Sequence, residues 1–302
     1  MRDVYVILKG RLGNQLFIYS FVMELLGSLE NSNIIIDDSE IELMKWENSI
    51  PQYGLPENVT FVHKRSLFFS RKLILQSILL RIVYRILNKK NYKERYDLEK
   101  KYCKLLTRLG LYTCENGFLG FPKLKPRKSL IVSGYFQSEK YFETKASELR
   151  KLFKNLTLKE SSYSFLLNKN SVCLSIKIED NLKNPLWGVC TVQYWKEAIE
   201  YILQTVVNPV FFICSDNVEL VAKTFTFLND YEVHYQDKNL KPTENMLVMS
   251  MCKFFIIGNT SYGWWAQYLA DDKKMTIAPS RWCNDEKLPI AIYQNDWHLI
   301  NV

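Results

Sequence analysis

Apolar residues along this chain fall into two kinds of pattern. Short runs rich in β-branched residues alternate with longer stretches in which apolar residues recur every three or four positions. The short runs predict strands at Val4–Leu8, Asn33–Asp37, Val59–Val62, Leu130–Gly134, Val172–Ile178, Pro209–Ser215, Glu232–Tyr235, Phe254–Gly258 and Met275–Ala278. Helical spacing predicts helices at Asn14–Leu29, Glu139–Phe153, Val192–Val206, Val218–Leu228, Glu244–Met251 and Tyr262–Ala270. Phe17, Phe21 and Leu25 recur at every fourth position, as do Tyr194, Ala198 and Ile202, and Thr191 and Thr243 are expected as N-caps. Strand and helix in alternation predict an α/β fold of parallel sheets with crossover helices.

A chain of 302 residues fits two such domains better than one. The polar stretch 155–170, rich in Asn, Lys and Ser, is the expected linker. It separates an N-terminal domain, 1–155, from a C-terminal domain, 156–285, with 286–302 expected to return to the first. The opening MRDVYVILKG reads as a first strand and lacks the long apolar stretch of a signal peptide. The seven cysteines are scattered and form no C-x-x-C, which argues against a disulfide framework or zinc site and for a reducing, cytoplasmic setting.

Charge changes the picture in one place. The net charge is +8, yet between Lys64 and Arg108 there are fourteen basic residues and three acidic ones. This segment, about 64–108, reads as a basic helical insertion in the first domain. Its apolar part, Leu73–Leu87, is interrupted by Arg81 and Arg85 and is too short to span a bilayer. Two readings stay open: an interfacial helix on anionic lipid at the inner face of the plasma membrane, or a solvated helical pair covering the first domain's core. No nucleic-acid recognition motif accompanies the charge, so nucleic acid is not an expected partner.

Four loops at strand ends could carry chemistry. Gly10-Arg11-Leu12-Gly13-Asn14-Gln15 joins the first strand to the first helix, where glycines permit a sharp turn and unpaired N–H groups meet a ligand. Neither a dinucleotide fingerprint nor a Walker lysine is present. Lys177, with Glu179, Asp180 and Asn181, lies beyond the first strand of the second half, and Lys177 suits a phosphate. Ser215-Asp216-Asn217 suits a base or ribose, and equally a helix cap. Gly258-Asn259-Thr260-Ser261-Tyr262 brings hydroxyls to a helix start, a pyrophosphate-type site, with Trp264 and Trp265 read as core anchors beneath it. No D-x-D occurs, only Asp37-Asp38 and Asp271-Asp272, so no metal site is expected. His63, His234 and His298 lack the context of a triad hydrolase.

Taken in order, these loops resemble glycosyltransferase family 11, the α-1,2-fucosyltransferases. Gly10–Gln15 followed by Leu16, Phe17 and Tyr19 is similar to the family's G-x-L-G-N-Q-M/L-F-x-Y, and Arg11 is shared with the G-R-F-G-N-Q loop of protein O-fucosyltransferases. Gly134-Tyr135-Phe136-Gln137-Ser138-Glu139-Lys140-Tyr141-Phe142 is nearly identical to its G-Y-x-Q-S-E-K-Y-F. Phe212–Asn217 resembles F-x-x-F-S-D-D. Met249-Ser250, Cys252-Lys253 and Gly258–Trp265 resemble M-S-x-C-x-H and A-N-S-T-F-S-W-W; Ala278–Trp282 and Asp296-Trp297 complete the set. One segment departs: the family's H-x-R-R-G-D-Y aligns with Ser175–Asn181, where Ser175, Lys177, Ile178, Glu179 and Asn181 differ and Asp180 alone persists. Arginine and lysine are not equivalent at a bidentate phosphate site, and Arg11 or Arg281 is the expected source of the missing charge.

The resemblance implies a GT-B architecture, two Rossmann-like domains whose parallel sheets face a central cleft, and a metal-independent inverting transfer needing no cofactor beyond its nucleotide-sugar donor. That donor is expected to be GDP-fucose. The expected acceptor is a galactose-containing glycan or lipid-linked oligosaccharide of a surface polysaccharide. Asp180, Lys177 and Asn14 are the candidate catalytic residues. The candidate donor contacts are Gly10, Arg11, Gly13, Gln15, Lys177, Ser215, Asp216, Asn217, Glu244, Asn259, Thr260, Ser261 and Tyr262, with Gln137, Glu139 and Lys140 shaping the cleft on the acceptor side. The altered 175–181 loop keeps two alternatives open: another sugar nucleotide, or a non-catalytic descendant that binds glycan or a partner.

Overall fold

The computed structural model describes residues 2–27, 32–63, 73–121, 129–156, 158, 163–179 and 184–302. Two compact units form, Met1–Leu152 with Lys287–Ile292, and Phe153–Glu286 with Tyr293–Val302. The 286–302 segment is therefore not a simple return. Only its 287–292 stretch joins the first unit, because the residues after it are drawn into the second sheet.

In the first unit β1 (Arg2–Ile7), β2 (Ser32–Asp37), β3 (Val59–Val62), β4 (Leu111–Cys114) and β5 (Leu130–Gly134) make one parallel sheet in the order β3-β2-β1-β5-β4. Val4 and Val6 are wholly buried, as expected of a central strand covered on both faces, whereas edge strand β3 buries only its first residue fully. Helix α1 (Leu12–Gly27) is buried nearly all round, including the polar Gln15 and Ser20. The basic insertion folds as α3 (Ile74–Leu87) and α4 (Tyr92–Arg108), following the short α2 (Ser39–Leu43); residues 64–72 lie outside the described residues. Leu73 and Leu80 pack with Tyr5, Leu111 and Ile131 of the sheet, so α3 does cover this core. Strand β4 was not expected; its four buried residues follow α4 after Leu109 and Gly110 and merge with the helix's apolar pattern.

The second unit holds β6 (Asn170–Ile176), β7 (Pro209–Ser215), β8 (Glu232–Tyr235), β9 (Phe254–Ile257), β10 (Met275–Pro279) and β11 (Trp297–Ile300). All neighbours are parallel, in the order β11-β10-β9-β6-β7-β8. Counted from β6, this is the doubly wound Rossmann order, with its switch point between β6 and β9. Its helices are α5 (Ala146–Lys154), which straddles the boundary between units, α6 (Phe165–Asn168), α7 (Val192–Thr205), α8 (Val218–Thr224), α9 (Pro242–Ser250) and α10 (Ser261–Leu269). Trp195, Ile199 and Ile202 of α7 pack with Leu174, Phe211 and Ile256 from the sheet.

Three helix expectations change. Thr191 caps α7 through Tyr194 N, but Thr243 lies buried inside α9, because Pro242, whose missing N–H costs nothing there, starts the helix two residues earlier. The single helix expected over 139–153 opens as two 3-10 turns, Glu139–Tyr141 and Glu143–Lys145, joined at Phe142. Tyr141 and Phe142, at the junction of the two turns, are both fully buried. Helix α8 likewise stops at Thr224, and Thr226–Leu228 continues as a 3-10 turn.

Candidate active site

The motif-bearing loops leave the carboxyl ends of parallel strands, where open α/β sheets bind ligands. In the first unit the strand order reverses between β1 and β5, and both adjoining loops are motif loops. Gly10 has φ +71°, and a side chain there would collide with Asn14, so glycine alone fits this turn. Asn14 follows in the first turn of α1, and its Oδ1 accepts from Gln137 Nε2 at 2.7 Å, bringing the β1 and β5 loops together. Gln137 is aimed by its neighbours. Phe136, buried in a left-handed conformation (φ 50°), stacks on Phe21 at 4.1 Å, and Tyr141 meets both rings edge-on. Gly13 is buried, Arg11 and Lys140 are exposed, and Glu139 is half-buried.

Gln15 belongs to the scaffold. Its amide donates to the carbonyls of Gly10 (3.0 Å) and Glu47 (2.8 Å) and accepts from Ser49 N (3.0 Å), with no exposed surface. Its expected place among the donor contacts is not available to this side chain, whose donors and acceptor are spent inside the fold.

A second polar group sits beside the Gly10 loop and escaped the sequence reading. Lys9 pairs with Glu115 at 2.6 Å and donates to Tyr84 Oη at 3.0 Å, and Tyr84 donates to Glu115 at 2.7 Å. Burial would lower the Lys9 pKa, but the Glu115 carboxylate and Tyr84 more than offset it and hold the ammonium above its usual range. Burial likewise opposes ionisation of Glu115, yet Lys9 keeps its carboxyl below the usual range. Glu99 is different: burial, with Glu115 nearby, pushes it up to about 7, and its Oε1 is buried with no hydrogen-bond partner. The signal was Lys9 itself, a lysine closing an apolar strand; its partner is 106 residues away, just past the unforeseen β4.

In the second unit the switch point between β6 and β9 is lined by Lys177 on one side and 258–262 on the other. Thr260 caps α10, its hydroxyl accepting from Gly263 N at 2.9 Å while keeping its own proton to donate. Ser261 opens the helix, so the positive end of α10 lies at the switch point. Close packing puts it there: a Cβ on Gly263 would stand 2.7 Å from Ser175 Oγ and 2.9 Å from Ser175 Cβ. Ser175, buried at the end of β6, occupies the position aligned with the family's histidine.

Several expected donor contacts are braces. Asn259 Nδ2 donates to the carbonyls of Trp187 (2.8 Å) and Trp282 (2.9 Å), pinning the β9 and β10 loops together. Asp216 accepts from Ile178 N at 2.8 Å and Ser215 Oγ at 3.2 Å, fastening the Lys177 loop to β7. Asn217 caps α8 through Leu220 N at 2.8 Å and donates to Glu179 at 2.5 Å. Glu244 accepts from Lys241 N at 2.8 Å at the start of α9, and Tyr262 Oη donates to the Pro242 carbonyl at 2.7 Å. Trp264 and Trp265 are fully buried, the core anchors expected. Asp180 and Asn181 lie outside the described residues. Arg281, just past β10, has a buried Nε without a hydrogen-bond partner.

Among the described residues one set of potential metal ligands comes together, Asp38, Glu42 and His63. Asp38 pairs with the exposed His63 at 2.6 Å and accepts from Asn48 at 2.8 Å, and the hydrogen bond to Asp38 raises the His63 pKa. An ion pair accounts for this group.

The family profile for Glycosyl transferase family 11 matches residues 3–301. The chain belongs to that family. Among similar family members is an α-1,2-colitosyltransferase of Escherichia coli, 33% identical over 171 residues, which cover 53% of this chain and 58% of that protein, less than two thirds of its length. The O-antigen biosynthesis glycosyltransferase WbnK of Escherichia coli is 25% identical over 302 residues, 92% of this chain and 94% of that protein. Among solved structures, the NodZ α-1,6-fucosyltransferase soaked with GDP-fucose superposes with a TM-score of 0.51 at 12% identity, covering 95% of this chain and 97% of that one. At that identity the likeness speaks for the fold, which is of the GT-B type. This family 11 member is a glycosyltransferase, with two Rossmann-like units built on parallel sheets.

Proposed function

We propose that this family 11 enzyme transfers L-fucose from GDP-fucose to a hydroxyl of a galactose-containing acceptor, forming an α-1,2 linkage during assembly of a bacterial surface polysaccharide at the cytoplasmic side of the membrane. The observation that carries the reading is the start of α10 at the β6/β9 switch point, with Thr260 and Ser261 opposite Lys177. As the glycosidic bond breaks, negative charge accumulates on the departing diphosphate, and preorganised donors lower the barrier by meeting it. The Ser261 amide, the Thr260 hydroxyl and the Lys177 ammonium supply such donors, and Arg281 supplies the second cation that the Ser175–Asn181 loop lacks. The chain has no D-x-D to hold a metal-bound diphosphate, which supports a metal-independent transfer. Asn14 and Gln137 are assigned to the acceptor side. Asp180 is the candidate base for the acceptor hydroxyl, a modest task where the transition state is largely dissociated.

Calorimetric titration tests the reading. The protein is expected to bind GDP in preference to UDP. Lys177→Ala and Arg281→Ala are each expected to weaken GDP by about tenfold, a typical loss for a charge-assisted phosphate contact. A folded protein indifferent to every nucleoside diphosphate would end the proposal. Colitose is a second reading of the sugar, favoured by the α-1,2-colitosyltransferase relative; it lacks the 3-hydroxyl of fucose, so paired transfer assays with the two donors separate them.

A further inference from the structure

Helix α3 is apolar on two opposite faces. Leu73, just ahead of it, with Leu80 and Leu87, points into the first unit and is buried, Leu80 being 3% exposed. Leu75, Ile78, Ile82 and Ile86 are spaced by three or four residues along the other face and stand in solvent, Leu75 at 79% and Ile82 at 50% exposure. A solvated helix ordinarily carries polar residues there. Arg81 and Arg85 flank this stripe on the exposed side of the same helix. Helix α4 repeats the arrangement, with Tyr102, Leu105 and Leu109 exposed and Lys101, Lys104 and Arg108 beside them.

Charge identifies the occupant. Ten basic residues lie between 74 and 108 against three acidic ones, and none of the acids opposes the face. Glu94 caps α4, Asp97 pairs with Lys93 at 3.7 Å, and Glu99 is buried. A second copy of the chain seated on this face about a two-fold axis would set arginine against arginine. Nucleic acid offers nothing for a row of isoleucines. A bilayer bearing anionic phospholipid meets both halves of the pattern, with acyl chains for the aliphatic stripe and headgroups for the guanidinium groups.

We propose that the exposed face of α3, extended by α4, is a docking surface for anionic membrane. Flotation with phosphatidylcholine vesicles, with and without phosphatidylglycerol, is the test. The wild-type protein is expected to float with the anionic vesicles at least about tenfold better than with the neutral ones, and salt is expected to release it. The double variant Ile78→Ser/Ile82→Ser should lose flotation, and Arg81→Gln/Arg85→Gln should weaken it by roughly fivefold per arginine. Ile78 and Ile82 are exposed, so the thermal melt of Ile78→Ser/Ile82→Ser should match the wild type, and melts and circular dichroism of both variants check that they are folded. Equal flotation with both vesicles, or wild-type flotation by both variants, would overturn the proposal. So would a dimer, measured by light scattering, that Ile78→Ser/Ile82→Ser turns into monomer.

Discussion

At the scale of single residues, the buried charges beside the Gly10 loop set the largest expected effects. Removing one partner of a buried ion pair strands the other, at a cost of about 3–5 kcal/mol. Lys9→Met is therefore expected to destabilise the protein by about that much in chemical denaturation. Lys9→Met/Glu115→Leu, which removes both charges, should recover most of the loss. Glu99 acts through pH. Its folded pKa is raised to about 7 from an ordinary value of 4.5, so between those values the folded state holds the proton more tightly than the unfolded chain. Stability contributed by this group is then present below the unfolded pKa and lost as pH rises towards 7. Glu99→Gln, permanently neutral, should leave stability near pH 4 almost unchanged and raise it at pH 8 by on the order of 2 kcal/mol. Urea midpoints at the two pH values check this, and an equal shift at both would show that Glu99 does not titrate as described. The sequence marked Gln15, Asp216 and Asn259 as polar residues in site loops, but not which way their hydrogen bonds would be spent. That depends on carbonyls such as those of Glu47 and Trp282, which sequence distance hides.

At the scale of elements, the sequence reading placed nine strands, and all nine form, because central parallel strands are nearly continuous apolar runs that periodicity detects well. The two missed strands, β4 and β11, are edge strands of four residues each, and β4 follows so soon after α4 that its apolar residues merge with the helix's pattern. The contact between α10 and β6 is the element-level feature closest to the chemistry. Gly263→Ala would force its methyl against Ser175 and push the start of α10 off the switch point. It is expected to cost about 1–3 kcal/mol in stability, the range for overpacking, and to weaken nucleotide binding more than a surface change of equal destabilisation. Adding Ser175→Gly, which removes the opposing side chain, should restore binding; calorimetry on the single and double variants checks it. The two readings of the basic insertion, kept apart on sequence grounds, are not alternatives. One face of α3 covers the core and the other remains open to solvent.

At the scale of the whole molecule, the two-domain α/β architecture was legible because strand and helix alternate through both halves, and the motif loops stood out because each follows a strand. Family membership rests on nearly the entire chain, 3–301. No helix among the described residues is long and apolar enough to cross a membrane. What periodicity could not supply was the path of the final residues. A short polar stretch ending in one apolar strand has the same pattern whether it rejoins the first sheet or extends the other. The observed path has its own consequence. Because Lys287–Ile292 belongs with the first unit and Tyr293–Val302 with the second, the backbone passes from one to the other at three separate points. Neither half is an unbroken stretch of polypeptide. Severing the backbone between Leu152 and Phe153 would leave the carboxyl-terminal fragment carrying six residues whose proper neighbours are on the other piece, so this enzyme cannot be divided into two independent proteins at any single bond.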